Sequence, residues 1–250
     1  NWFASYTEFQ LHYAEIARRS GCEMFIAGCE MVQSERREAE WRKLISDIRT
    51  VYSGLVSYNT DKYQEDNVTW WDAVDVISSS GYYPVYDWEN QLDRIEKVVK
   101  KFHKPFFFAE CGCMATTGSS LVPNDWSVCG ETNVSEQAKW YQAMFDACLK
   151  RDWVRGFCLW SWSGRPESKE DALSNRRYEI CHKPAEEIVK KNYELVTGAL
   201  RQDKSRRFPG GEYCDWSSVN CSYMDLFQNI CKPILIHTVS FVPGQFAPKT

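Results

Sequence analysis

The chain has 250 residues, 44% hydrophobic and 26% charged, with a formal net charge of −4. That is room for one large α/β domain and marginal for two. Both signs of charge are spread along the chain, so neither a nucleic-acid footprint nor a membrane surface is expected as partner. No apolar run reaches the eighteen or so residues of a membrane span.

Residues 6–19 place Leu11, Ala14, Ile16 and Ala17 among charges, which predicts an amphipathic helix. A short apolar run, Met24-Phe-Ile-Ala-Gly-Cys-Glu30, predicts a strand ending on a carboxylate. Trp41, Leu44, Ile45, Ile48 and Val51 share one face of a helix over 37–52, stopped by Ser53-Gly54. A short strand is expected at 55–58, a polar loop at 61–68, a brief helix at 70–74 and a strand at 76–83 ended by Pro84. Leu92, Ile95, Val98 and Val99 mark a helix over 89–102, and 105–110 predicts a second strand that ends on a glutamate, Glu110. The loop over 111–132 is rich in Gly, Ser, Thr and Pro, which suits a cleft wall. It carries no phosphate-binding glycine pattern. A helix over 135–150, a strand over 154–160 and a helix over 184–196 complete the pattern. Residues 1–198 read as one domain and 199–250 as an irregular tail. Strands alternating with helices are the signature of a parallel α/β sheet.

Eleven cysteines are present. Cys22, Cys29, Cys111, Cys113 and Cys158 fall in or beside strands and read as free thiols, with Cys29 and Cys111 packed in the sheet wall. Free thiols lean the reading toward a cytoplasmic setting. Cys111-x-Cys113 lacks metal-ligand spacing, so zinc is not expected. Cys214, Cys221 and Cys231 in the tail, and sequons at Asn67, Asn133 and Asn220, would matter only in an exported protein.

Glu30 and Glu110 carry the chemistry. A carboxylate at the end of a parallel strand sits at the carboxyl edge of the sheet, where α/β barrels place catalytic groups. Two such carboxylates facing one cleft are the machinery of glycoside hydrolysis.

With these residues placed, the chain resembles the retaining glycoside hydrolases of clan A, above all glycoside hydrolase family 113, known for endo-β-1,4-mannanases. The motifs that carry the likeness include Phe25-Ile-Ala-Gly-Cys-Glu-Met-Val, Glu40-Trp-Arg-Lys-Leu-Ile and Tyr52-Ser-Gly-Leu-Val-Ser-Tyr-Asn. Gly81-Tyr-Tyr-Pro, Pro105-Phe-Phe-Phe-Ala-Glu-Cys-Gly, Trp160-Ser-Trp162 and Lys183-Pro-Ala-Glu extend it to about residue 195. The resemblance implies a (β/α)8 barrel of which this chain holds about strands four to eight, the N-terminal strands being absent. Five strands cannot close a barrel staggered for eight, so the first and last are each expected to lack a neighbour. The resemblance further implies that Glu30 is the general acid/base, Glu110 the nucleophile, and Tyr82 the tyrosine that orients the nucleophile, with Tyr83 as its substitute. It makes Trp160 the floor of the sugar site, with Trp162 as the substitute if the register differs, and assigns Asn59 to substrate binding. No metal or organic cofactor is implied. The substrate implied is β-1,4-mannan. Another clan A β-glycanase, or a carbohydrate-binding barrel fragment without turnover, are the alternatives. One departure stands out: many clan members carry Asn just before the acid/base, and here Cys29 occupies that place.

Overall fold

In the computed structural model, residues 2–163 and 167–202 are described, with side chains to residue 195. The tail cysteines and the Asn220 sequon lie outside them. The order is α1 (Trp2–Arg19), β1 (Met24–Cys29), α2 (Val32–Glu35), α3 (Glu38–Val51), β2 (Leu55–Thr60), β3 (Val76–Gly81), α4 (Trp88–Phe102), β4 (Phe106–Cys111), α5 (Val134–Cys148), β5 (Val154–Leu159), α6 (Lys169–Ser174) and α7 (Pro184–Gln202). Single 3-10 turns at Trp71–Ala73 and Ser119–Leu121 punctuate the loops.

The five strands form one sheet in the order β1-β2-β3-β4-β5, every neighbouring pair parallel. Sequential parallel strands with helices between them are an arc of an α/β barrel. As expected, β1 and β5 each have one strand neighbour among the described residues. The consequence is local. β1 was expected to be buried throughout, yet Phe25 and Ile26 are only half-buried and Cys29 is exposed.

Helices α3 and α4 bury apolar stripes in the core. α3 buries Trp41, Leu44, Ile45 and Ile48, and α4 buries Trp88, Leu92, Ile95, Val98 and Val99. Trp41, Trp70 and Tyr58 interlock behind β2, with the two indoles stacked at 5.0 Å. Local chemistry sets the helix ends. Asn133 caps α5 by accepting from the Glu136 N–H at 3.0 Å. α4 stops where His103 turns left-handed at φ 52°.

The inner face changes character along the strands. At the amino end Met24, Val76, Phe107 and Cys158 pack with Ile26, Leu55 and Ala109. One layer up, buried hydroxyls replace them: Ser57 Oγ donates to the Val76 carbonyl at 2.8 Å and shares a 3.0 Å bond with Ser78 Oγ. Asn59 and Ser80 follow, then the glutamates. An apolar floor thus gives way to a polar mouth within one strand length.

Candidate active site

The sheet register brings the site together. Cys29 pairs with Asn59, and Ser80 with Glu110. Glu30 follows β1 directly and adopts φ 52°, left-handed for a residue that carries a Cβ. Its backbone N–H donates to the Asn59 carbonyl at 2.7 Å. Glu110 was expected to end its strand, but β4 continues one residue further to Cys111. The close approach that allows this needs Gly112, where a Cβ would lie 2.1 Å from the Trp160 carbonyl oxygen.

The two carboxylates are held differently. Glu110 accepts from the Tyr82 hydroxyl at 3.0 Å on Oε2 and from the Cys29 thiol at 3.3 Å on Oε1. Glu30 accepts one short bond, 2.5 Å, from Ser80 Oγ. Burial raises the Glu30 pKa above the ordinary carboxylate range, against the lowering effect of the Ser80 bond. The charges of Glu110 and Asp61 raise it further, and Lys62 lowers it. The Tyr82 phenol is pushed far up, first by burial and then by Glu110, so it remains a donor.

Asn59 lies behind the pair. It is 1% exposed, and its Nδ2 donates to Cys29 Sγ at 3.2 Å and to Ser80 Oγ at 3.1 Å. One amide therefore supports both partners, the thiol that donates to Glu110 and the hydroxyl that donates to Glu30. The second amide atom, Oδ1, is buried with no protein partner. Cys29 corrects the expectation of a sulfur packed in the wall: the residue is exposed and its thiol points along the carboxylates. The reason is its place at the last position of an edge strand. Cys111 is buried as expected, and both cysteines are unpaired.

Tyr83 does not share the role of Tyr82. It is fully buried and donates to Glu65, which also pairs with Arg94 at 2.5 Å. Trp160 packs with Tyr82, Met114 and Tyr178 and lines a cavity of about 460 Å³ with Trp126, Tyr178 and Glu179. Trp162 is half-exposed and does not line that cavity. Ser80 and Cys29 are the residues beside the two carboxylates that sequence reasoning did not assign there. Ser80 carried a signal, one residue before the Gly81-Tyr82 pair in a strand whose inner face is hydroxylic.

Among the described residues, Cys181, His182 and Glu186 bring three metal-ligating atoms within 4.8 Å of one another. Glu186 is already engaged there, accepting from the His182 backbone N–H at 2.5 Å at the start of α7. No helix among the described residues is long and apolar enough to cross a membrane.

A solved structure described as a complex of a GH113 β-1,4-mannanase is 56% identical, with a TM-score of 0.75 over 77% of this chain and 62% of that one. The GH113 β-mannanase AaManA from Alicyclobacillus acidocaldarius, solved in complex with ManMIm, is 42% identical, with a TM-score of 0.76 over 78% of this chain. The chain spans 62% of the length of each. A β-glucuronidase from Faecalibacterium prausnitzii, 12% identical with a TM-score of 0.56, shares the fold alone. No curated protein matches. The profile of Glycoside Hydrolase Family 113 matches residues 1–183, and the chain belongs to that family.

Proposed function

We propose that the protein is a retaining glycoside hydrolase that cleaves β-1,4-mannan by double displacement, with Glu30 as general acid/base and Glu110 as nucleophile. The observation that carries the reading is the contrast between the two carboxyl groups. Glu110 accepts two side-chain donors, which suits a group that must stay ionised to attack the anomeric carbon. Burial raises the Glu30 pKa, which suits a group that must hold a proton for the leaving oxygen.

In the first step the Glu110 carboxylate attacks the anomeric carbon while Glu30 gives its proton to the departing glycosidic oxygen. A glycosyl ester forms on Glu110. Glu30, now ionised, receives the Ser80 hydrogen bond more strongly and withdraws a proton from the incoming water. Water attacks the same carbon, the ester bond breaks, and the sugar leaves with its configuration retained. Tyr82 keeps the Glu110 carboxylate oriented through both steps, and Trp160 offers an aromatic wall beside Tyr82. The descriptions of one relative as a β-1,4-mannanase and of another as a β-mannanase support mannan over other β-glycans.

The test is reducing-end release by the full-length protein from mannan, glucomannan and β-glucan. Release from mannan and glucomannan with little from β-glucan is expected. Preference for β-glucan would move the reading to another β-glycanase, and no release from any substrate would favour a binding protein.

A further inference from the structure

Glu35 is a buried carboxyl group on the segment that follows Glu30, and the two-carboxylate mechanism does not use it. It ends the single helical turn α2, five residues after Glu30, and is only 4% exposed. Its Oε1 accepts from Tyr58 Oη at 2.8 Å and from Thr60 Oγ1 at 2.6 Å. Tyr58 and Thr60 are themselves fully buried on β2. The Tyr58 oxygen in turn accepts the backbone N–H of Met31 at 3.0 Å. Met31 is the residue directly after Glu30.

The segment 30–35 is therefore fastened to β2 at successive points. Glu30 N–H bonds to the Asn59 carbonyl, Met31 N–H to the Tyr58 phenol, and the Glu35 carboxyl group to that same phenol and to Thr60. The Trp70 indole N–H holds the Glu35 carbonyl at 2.9 Å, and the Trp41 indole N–H holds the Ser34 carbonyl at 3.0 Å. Tyr58 has little freedom of its own. Its ring packs between Trp41 and Trp70, and Gly28 approaches so closely that a Cβ there would meet the Tyr58 ring at 3.0 Å.

Glu30 needs such fastening. A left-handed backbone at a residue other than glycine is strained and persists only where its surroundings impose it. We propose that Glu35, acting through Tyr58, is a positioning residue for the acid/base Glu30, holding the Met31 amide and so the left-handed turn that aims the Glu30 carboxyl into the cleft. This rests on the acid/base reading of Glu30. The bland alternative is a buried carboxylate that merely stabilises the loop. The two differ in which substrates they affect. Misplaced acid harms only substrates whose leaving group needs a proton, whereas a loosened fold harms all of them.

The experiment compares mannotetraose with 2,4-dinitrophenyl β-mannoside, whose leaving group departs unprotonated, for Glu35→Ala, Glu35→Gln and Tyr58→Phe in the full-length protein. Glu30→Ala serves as the reference. Glu35→Ala and Tyr58→Phe should lower kcat/KM on mannotetraose about 10–100-fold, part of the 10²–10⁴-fold that general acid catalysis supplies. On the aryl mannoside they should change it less than about threefold. Glu35→Gln keeps an oxygen acceptor for Tyr58 and Thr60 and should restore most of the loss. If Glu35→Ala does not fold, Tyr58→Phe decides, because it removes only the hydroxyl. Equal losses on both substrates, or none, would overturn the positioning role. If Glu30→Ala itself failed to spare the aryl mannoside, the acid/base reading would fall instead.

Discussion

Glu30 and Glu110 lie at the carboxyl edge of one sheet, yet their surroundings differ. Glu110 lies on β4, an interior strand with neighbours on both sides, and takes hydrogen bonds from Tyr82 and Cys29. Glu30 follows the edge strand β1 in a left-handed turn, takes one bond from Ser80, and is pushed toward its protonated form by burial. The side-chain donors differ in number: two reach Glu110 and one reaches Glu30. Asn59 touches neither carboxylate but supports a donor to each.

Removing one side of this contrast outright gives the largest effect. Glu110→Ala should reduce turnover of mannan and of activated aryl mannosides alike to background, measured by reducing-end and phenolate release. Residual activity confined to activated substrates would mean that Glu110 is the acid. Tyr82→Phe should cost about 10–100-fold in kcat, the kinetic equivalent of the ~1.5–3 kcal/mol of a hydrogen bond to a charged group. An unchanged kcat would show that Glu110 needs no orienting phenol.

Ser80→Ala sharpens the comparison through pH. The Ser80 bond lowers the Glu30 pKa, so its loss should raise that pKa. Glu30 would then stay protonated to higher pH, and the basic limb of kcat/KM against pH should move upward while the acid limb stays in place. A downward or absent shift would contradict the acid assignment. The smallest effect is expected from Cys29→Ser. A hydroxyl keeps both the acceptor for Asn59 and the donor to Glu110, so kcat should change about two- to fivefold, in line with the ~0.5–1 kcal/mol of a weak S–H bond.

Much of this was legible in the residues. The glutamate endings, the strand order and the helix stripes follow from apolar runs and helical spacing, because those patterns report burial directly. The site's inner layer was less so. The strand over 76–83 was legible, but the burial of Ser78, Ser79 and Ser80 was not, because the parallel neighbours that enclose them lie elsewhere in the sequence. Tyr82 and Tyr83 are adjacent and identical, and only the turn of the backbone beyond β3 sends one to Glu110 and the other to Glu65. Cys29 looked like a wall residue because an apolar strand predicts burial, yet it is exposed and its thiol donates to Glu110. α6 was missed although Ser168 and Asp171 form a Ser-x-x-Asp start signal, with Asp171 N–H donating to Ser168 Oγ at 3.1 Å. α2 carried no signal of its own. Its single turn is held by contacts to Tyr58, Trp41 and Trp70, from other parts of the chain.

The division of labour between the two glutamates is tested most directly by azide rescue of the paired variants Glu110→Ala and Glu30→Ala on 2,4-dinitrophenyl β-mannoside, with the anomeric configuration of the product read by NMR. Azide should replace the missing nucleophile in Glu110→Ala and give the α-mannosyl azide by one inverting displacement. In Glu30→Ala it should intercept the glycosyl-enzyme on Glu110 and give the β-mannosyl azide, configuration retained. The opposite pairing of variant and product would reverse the roles, and rescue of neither variant would contradict a covalent intermediate on Glu110.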